Sequence, residues 1–270
     1  KLLGTGSALT TIDGGYSDGD DLFAEGETRS VINIVNDDAT NRIEGFTIQN
    51  GQGSYIDYND GENYTWVGGG LLIDGGSGVT LNDLVIDQNG FTLDGGYHSG
   101  GIYIKSSNPT IQNSVISNNF GYGFYFMMSS GAMNNVLVKS NEGRGSGGGI
   151  CSSTSAPTFN NVTFADNINI QNFHAAGLHL MHGANPLIIN STFVNNITTE
   201  DNLGYTSGAI SLLNNSHPIL INTIIWGNST PAIHIHDWED PVPSSITISY
   251  SNIEGGEEGI SLNNLGESFW

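Results

Sequence analysis

The chain has 270 residues, and its 27 acidic against six basic side chains give a net charge of −21. That balance excludes nucleic acid as a partner, because phosphate binding needs a basic surface, and it disfavours an anionic membrane face. With 37% hydrophobic residues a single elongated domain can bury a continuous core, and one cysteine, Cys151, forms no internal disulfide.

The first element in chain order is a glycine-rich acidic loop in which Asp13, Asp18, Asp20 and Asp21 offer four carboxylates. Hard cations take several oxygens from a pliable loop, so no cofactor is required but calcium could bind there. A merely solvated loop is the favoured reading, since the EF-hand spacing is not met. Asp57, Asn59, Asp60 and Glu62 form a second acidic loop.

From Leu81 onward a pattern recurs: apolar-x-Asn/Asp-x-x-apolar-x-x-Asn. It closes on Asn89, Asn119, Asn141, Asn167, Asn196 and Asn228, and six residues earlier stand Asp83, Asn113, Asn135, Asn161, Asn190 and Asn222. Successive closing asparagines are 30, 22, 26, 29 and 32 residues apart. A fixed motif at uneven spacing means a fixed structural rung with variable loops.

Each repeat also carries a short alternating stretch led by Gly or Ala. Examples are Gly101-Ile102-Tyr103-Ile104, Gly123-Phe124-Tyr125-Phe126, Gly149-Ile150-Cys151-Ser152 and Ala232-Ile233-His234-Ile235. Alternation at this length, bounded by Gly, Asn, Ser and Pro, predicts β-strand. Pro109, Pro157, Pro186 and Pro218 recur ten residues before a closing Asn, where a corner tolerates the missing donor. The fold expected is all-β: a single-domain parallel solenoid over residues 1–270, of about eight or nine coils, with long loops on one edge. At about 4.8 Å per coil the rod is on the order of 40 Å long. Ile86, Ile116, Val138, Phe164, Phe193, Ile225 and Ile253 share one inward position. Asparagine at a corner tolerates left-handed backbone, and its amide can bond the equivalent amides above and below.

The segments Ile43 to Gly51 (IEGFTIQNG), Asn222 to Ser229 (NTIIWGNS) and Ser249 to Gly256 (SYSNIEGG) resemble the right-handed parallel β-helix superfamily, pectate-lyase-like in repeat. More narrowly they resemble secreted bacterial surface proteins with a C-terminal anchoring region. The resemblance implies right-handed winding and an extracellular or cell-surface location. It also implies further domains of a longer chain, with no transmembrane segment in this one. It leaves activity open, because the superfamily includes lyases, hydrolases and adhesins.

Alternation predicts an outward column of Leu72, Tyr103, Tyr125, Cys151, His179, Ser211, His234 and Ser261. Beside it run Asp74, Lys105, Met127, Ser153, Met181, Leu213, His236 and Asn263. Tyr64, Trp66 and Tyr97 stand on the longest loops, with only three residues separating Asn119 from Gly123. Exposed aromatics next to polar groups suit stacking against sugar rings. Tyr103, Tyr125, Trp66, Tyr64, Tyr97, His234 and His236 are therefore the candidate glycan contacts. The competing role is to pack the loops onto the rod. His234 and His236, two apart on one strand, face the same way and could approach one ion.

For catalysis on a polysaccharide, Lys105 is the candidate base, Arg144 the carboxylate clamp and His179 an alternative base. The Arg-rich motif of pectate lyases and the motif set of polygalacturonases are not found, and the acidic surface would repel a polyuronate. The reading favoured by sequence is a binding or scaffolding module, plausibly adhering to a surface glycan. A polysaccharide lyase or glycoside hydrolase is the alternative.

Overall fold

The computed structural model describes residues 2–15, 28–36, 41–57, 64–76, 78–90, 100–170, 173–199, 205–237, 242–263 and 267–269. Long strands Arg42–Gln49, Thr80–Asp87, Thr110–Ser117, Ala132–Lys139 and Thr158–Ala165 pair in parallel. The stack continues through split rungs: Leu187–Ile189 with Thr192–Val194, then Ile219–Ile221 with Ile224–Trp226. Ser245–Ser249 and Asn252–Ile253 add the next rung.

A second parallel sheet runs Ile32–Val35, Leu71–Asp74, Ile102–Lys105, Phe124–Met127, Gly149–Ser152, Leu178–Met181, Ile210–Leu213, Ile233–His236 and Ile260–Asn263. Its nine strands make eight steps of about 4.8 Å, hence a stack of roughly 38 Å. The chain is thus a parallel β-helix, as the repeat predicts.

Inward side chains of both sheets interleave into one core. The predicted column from Ile86 to Ile253 is in register throughout. In mid-rod the filling turns aromatic: Phe164 stacks on Phe193 at 4.5 Å between ring centroids, and Phe124 lies 5.7 Å from both Phe126 and Phe159.

One strand departs from the predicted register. Gly149 pairs with Phe124, Ile150 with Tyr125 and Cys151 with Phe126. Gly148, not Gly149, therefore occupies the lead position, and the whole strand turns over by one residue. The cause is volume: a Cβ on Gly149 would sit 2.2 Å from Phe124 Cζ. The glycine leaves the space that the Phe124 ring takes. Cys151 is consequently inside the core and fully buried, not on the outward column. Ile150 replaces it there, and Ser152 replaces Ser153 in the neighbouring column.

The two asparagine columns do different work. Asp83, Asn113, Asn135, Asn161, Asn190 and Asn222 all have φ between 51° and 55°, so each makes the left-handed corner itself. Their side chains bridge coils on the surface, as in Asn161 Nδ2 to Asn135 Oδ1 at 2.8 Å. The closing asparagines do not adopt that conformation. The residue before each one does: Gln88, Asn118, Ser140, Asp166, Asn195 and Gly227. That turn points the closing amide inward.

There Asn141 Nδ2 donates to Ile116 O at 3.0 Å and to Asn167 Oδ1 at 3.1 Å. Its own Oδ1 accepts the backbone N–H and Nδ2 of Asn119. The same bonds repeat from Asn89 to Asn228. At the first rung Gly51, not Asn50, holds the equivalent place, its N–H donating to Asn89 Oδ1.

Candidate functional site

The outward face of the nine-stranded sheet collects the residues singled out for binding and catalysis. It is not a surface. Tyr103 is 0% exposed, His179 0% and His234 1%, while Tyr125 and His236 are each 6% exposed. The predicted open strip is therefore overturned for all five.

The loops roof this face because they stack too. Glu142–Gly143, Ile168–Asn169 and Ile197–Thr198 form a parallel ladder of their own. Phe173–Ala175 pairs with Tyr205–Ser207. Thr28–Arg29, Gly53–Asp57 and Tyr64–Val67 make an antiparallel flap. Backbone groups that leave one rung meet equivalents one coil away, which satisfies them without solvent.

At the N-terminal end of the face lies a second apolar core of Val67, Leu72, Tyr103, Tyr122, Tyr125, Met127 and Ile150. Tyr103 and Tyr125 meet edge to face at 5.4 Å, as do Tyr122 and Tyr125 at 6.0 Å. Their hydroxyls are engaged internally. Tyr103 OH donates to Met127 Sδ at 3.1 Å, Tyr125 OH lies 2.9 Å from Ser152 Oγ, and Tyr122 OH donates to Arg144 O at 3.3 Å. The packing role for these aromatics is the one realised.

The C-terminal half of the face is histidine-rich. His174, on a loop strand, stacks on His179 with ring centroids 3.8 Å apart. His179 Nδ1 lies 2.7 Å from Ser211 Oγ, and its Nε2 has no hydrogen-bond partner among the described residues. The rings of His234 and His236 lie 5.9 Å apart and nearly parallel. Burial lowers the His179 pKa well below the ordinary histidine range, reinforced by the nearby His174 and His182. Burial likewise lowers His174 to about 4, with His236 and His182 adding to the effect. His236 is lowered by burial, against a raising influence from Asp237. Neutral imidazoles packed against one another are the consequence.

The three candidate catalytic residues stand on different elements. Lys105 ends its strand opposite Asp74 and Met127. The backbone of Arg144 sits beside Tyr122, at the corner where the strands enter the sheet. His179 stands in register two strands beyond Tyr125.

Among the described residues no group of three His, Cys, Asp or Glu side chains is placed to hold a metal ion. Of the acidic loop, Asp13 is described. Its carboxylate accepts from Gln49 Nε2 and the Gly15 N–H, each at 2.8 Å, and from Asn50 Nδ2. Those bonds, that from Gln49 foremost, hold its pKa below the ordinary carboxylate value. Asp18, Asp20, Asp21 and Tyr97 lie outside the described residues, as do the side chains of Tyr64 and Trp66.

Sequence reasoning missed a serine ladder and the roof. Gly76 N donates to Ser107 Oγ, Ser107 N to Ser129 Oγ, Ser129 N to Ser155 Oγ, and Ser216 N to Ser244 Oγ. The signal was present: a serine two residues before Pro109, Pro157 and Pro218. His174 carried no local signal, since only stacking brings it over His179.

Together these features define a solenoid whose loop-roofed face is a second interior. The chain matches the family described as a right-handed β-helix region over residues 11–164 and again over residues 147–269. It belongs to that family. No curated protein and no solved structure matches it.

Proposed function

We propose that the chain is a rigid, non-catalytic scaffold of an extracellular or cell-surface protein, presenting its outer faces to partners. One observation carries this reading: the polar and aromatic side chains of the Gly-led face bond to each other under a roof. They are therefore removed from substrate. A general base must come within hydrogen-bond reach of the proton it takes. Coil-spanning amide ladders supply the stiffness that a presenting rod needs.

Adhesion to a glycan is the finer form of the proposal, and its candidate contacts are Tyr64, Trp66 and Tyr97. Calcium at the acidic loop would be an accessory to it. The test is a screen of acidic and neutral polysaccharides, with and without calcium, reading unsaturated products and reducing ends alongside glycan-array binding. No turnover is expected, and array binding, where present, should fall on Trp66→Ala. Product formation that disappears in Lys105→Ala or Arg144→Ala would overturn the scaffold reading.

A further inference from the structure

The outer face of the long-strand sheet changes character along the rod. In successive rungs one outward column reads Thr80, Thr110, Ala132, Thr158, then Leu187 and Ile219. Its neighbour reads Asn82, Gln112, Asn134, Asn160, then Ile189 and Ile221. Past the corner, Thr163 and Thr192 give way to Ile224, while Ala165 leads to Val194 and Trp226. The next rung is polar again, with Thr247, Ser249 and Asn252.

Two adjacent coils thus display apolar side chains in columns that elsewhere hold mostly threonine and amides, although the column of Ile224 is also apolar earlier along the rod, at Val85, Val115 and Leu137. Ile219 is 44% exposed, Ile224 48% and Trp226 51%. The core does not require this, because these positions point outward.

A second observation lies at the corner beside them. Tyr250 follows Ser249, which is paired with Ile221, so it stands in the column otherwise held by Asp83 and five asparagines. It keeps the left-handed backbone at φ 54° and is 91% exposed. A bulky side chain is disfavoured in that conformation, and here it gains no burial in return. Strain held at an exposed aromatic beside an apolar patch marks an interaction surface.

Charge narrows the occupant. Residues 145–270 contain ten acidic side chains and no Lys or Arg. Glu254 donates its carboxylate to the rim, accepting the Gly227 N–H beside Trp226 at 2.6 Å, and Glu257 and Glu258 follow on an exposed turn. The patch spans about three coils by eight residues, on the order of 350 Å². A stable dimer needs roughly 800 Å² per partner, and two copies would bring like charges together.

We infer that the face formed by Ile219, Ile221, Ile224, Trp226 and Tyr250 docks a basic amphipathic segment of a partner protein. Its apolar side would lie on the isoleucines and Trp226, and its cations on Glu254, Glu257 and Glu258. This site is separate from the loop aromatics proposed for glycan contact.

The test uses the full chain and two synthetic amphipathic peptides of about 18 residues, one Leu/Lys and one Leu/Glu. Binding is followed by tryptophan emission and anisotropy. The Leu/Lys peptide should bind saturably and the Leu/Glu peptide should not. Ile224→Thr with Trp226→Ser, and separately Tyr250→Asn, should each weaken binding about tenfold. Val115→Thr, in the same outward column but remote from the patch, should bind like wild type.

Binding within twofold of wild type in both patch variants would overturn the proposal, since attraction by the acidic rod as a whole would then suffice. Self-association without peptide that W226S abolishes would overturn it in favour of a second copy. Neutral-glycan binding lost in W226S would overturn it in favour of a sugar. Polysaccharide turnover would sink the scaffold reading and leave this surface standing.

Discussion

Replacing Gly149 with alanine tests the register that separates the structure from the alternation rule. The added Cβ would lie 2.2 Å from Phe124 Cζ and 2.5 Å from Cε2, against 3.4–4 Å for ordinary contact. The ring must retreat by roughly 1.2 Å, but Phe126 and Phe159 at 5.7 Å and Phe164 at 6.1 Å hem it in. Overpacking of this kind costs about 1–3 kcal/mol. For a chain of this size that is a fall in Tm of about 2–5 °C. Shortening the ring by Phe124→Leu should relieve the clash, so the double variant should be more stable than additivity predicts, by at least about 1 kcal/mol. Urea denaturation followed by circular dichroism measures all four corners of the cycle. If Gly149→Ala costs less than about 0.5 kcal/mol, or the two changes add, then Phe124 does not occupy the glycine's space. The assigned register would then fail.

The same register predicts that Cys151, buried and with its thiol pKa raised by burial, reacts with a thiol reagent only upon unfolding; prompt stoichiometric labelling of the native protein would contradict it. Asn141→Ala strips partners from the buried Asn119 N–H and Ile116 carbonyl and should cost about 3 kcal/mol, whereas Asn135→Ala on the exposed ladder should cost under 1 kcal/mol, both read from denaturation midpoints. Tyr103→Ala should lower stability by about 3–5 kcal/mol rather than abolish a binding activity, which a glycan array and a melt on the same sample distinguish. Acid should also weaken the fold through histidine. His174 is about 4 when folded against 6.5 as the ordinary value, so the unfolded chain binds more protons between those limits. Stability is full above pH 6.5 and declines as pH falls towards 4, by about 2 kcal/mol after allowance for the ring's partial exposure. His174→Phe should shrink that arm of a Tm–pH profile, leaving the part due to the likewise lowered His179 and His236, and an unchanged profile would refute the assignment.

How much of this was legible from sequence depends on which atoms carry each signal. The asparagine columns are local: a corner needs a residue that tolerates positive φ, and the buried ladder needs an amide at one fixed place, so both recur in the primary structure. The inward apolar column from Ile86 to Ile253 was readable for the same reason. The Gly149 strand was not, because two adjacent glycines, Gly148 and Gly149, both satisfy a Gly-led pattern. The choice between them was made by the bulk of Phe124 one coil away. The candidate site failed on similar grounds. Alternation says which way Tyr103, Tyr125 and His179 point, but not what lies beyond them.

Sequence by itself therefore determined the rung, its corners and its core, since each recurs from coil to coil and is written in residues close along the chain, and composition alone fixed the net negative charge. Tertiary structure alone decided that the outward face of the short sheet is an interior. The loops that cover it differ in length and composition, yet they stack because each unpaired backbone edge finds its match one coil up. That pairing joins residues some thirty positions apart, such as Ile168 with Ile197 and Phe173 with Tyr205. It left histidines and tyrosines facing each other rather than the solvent.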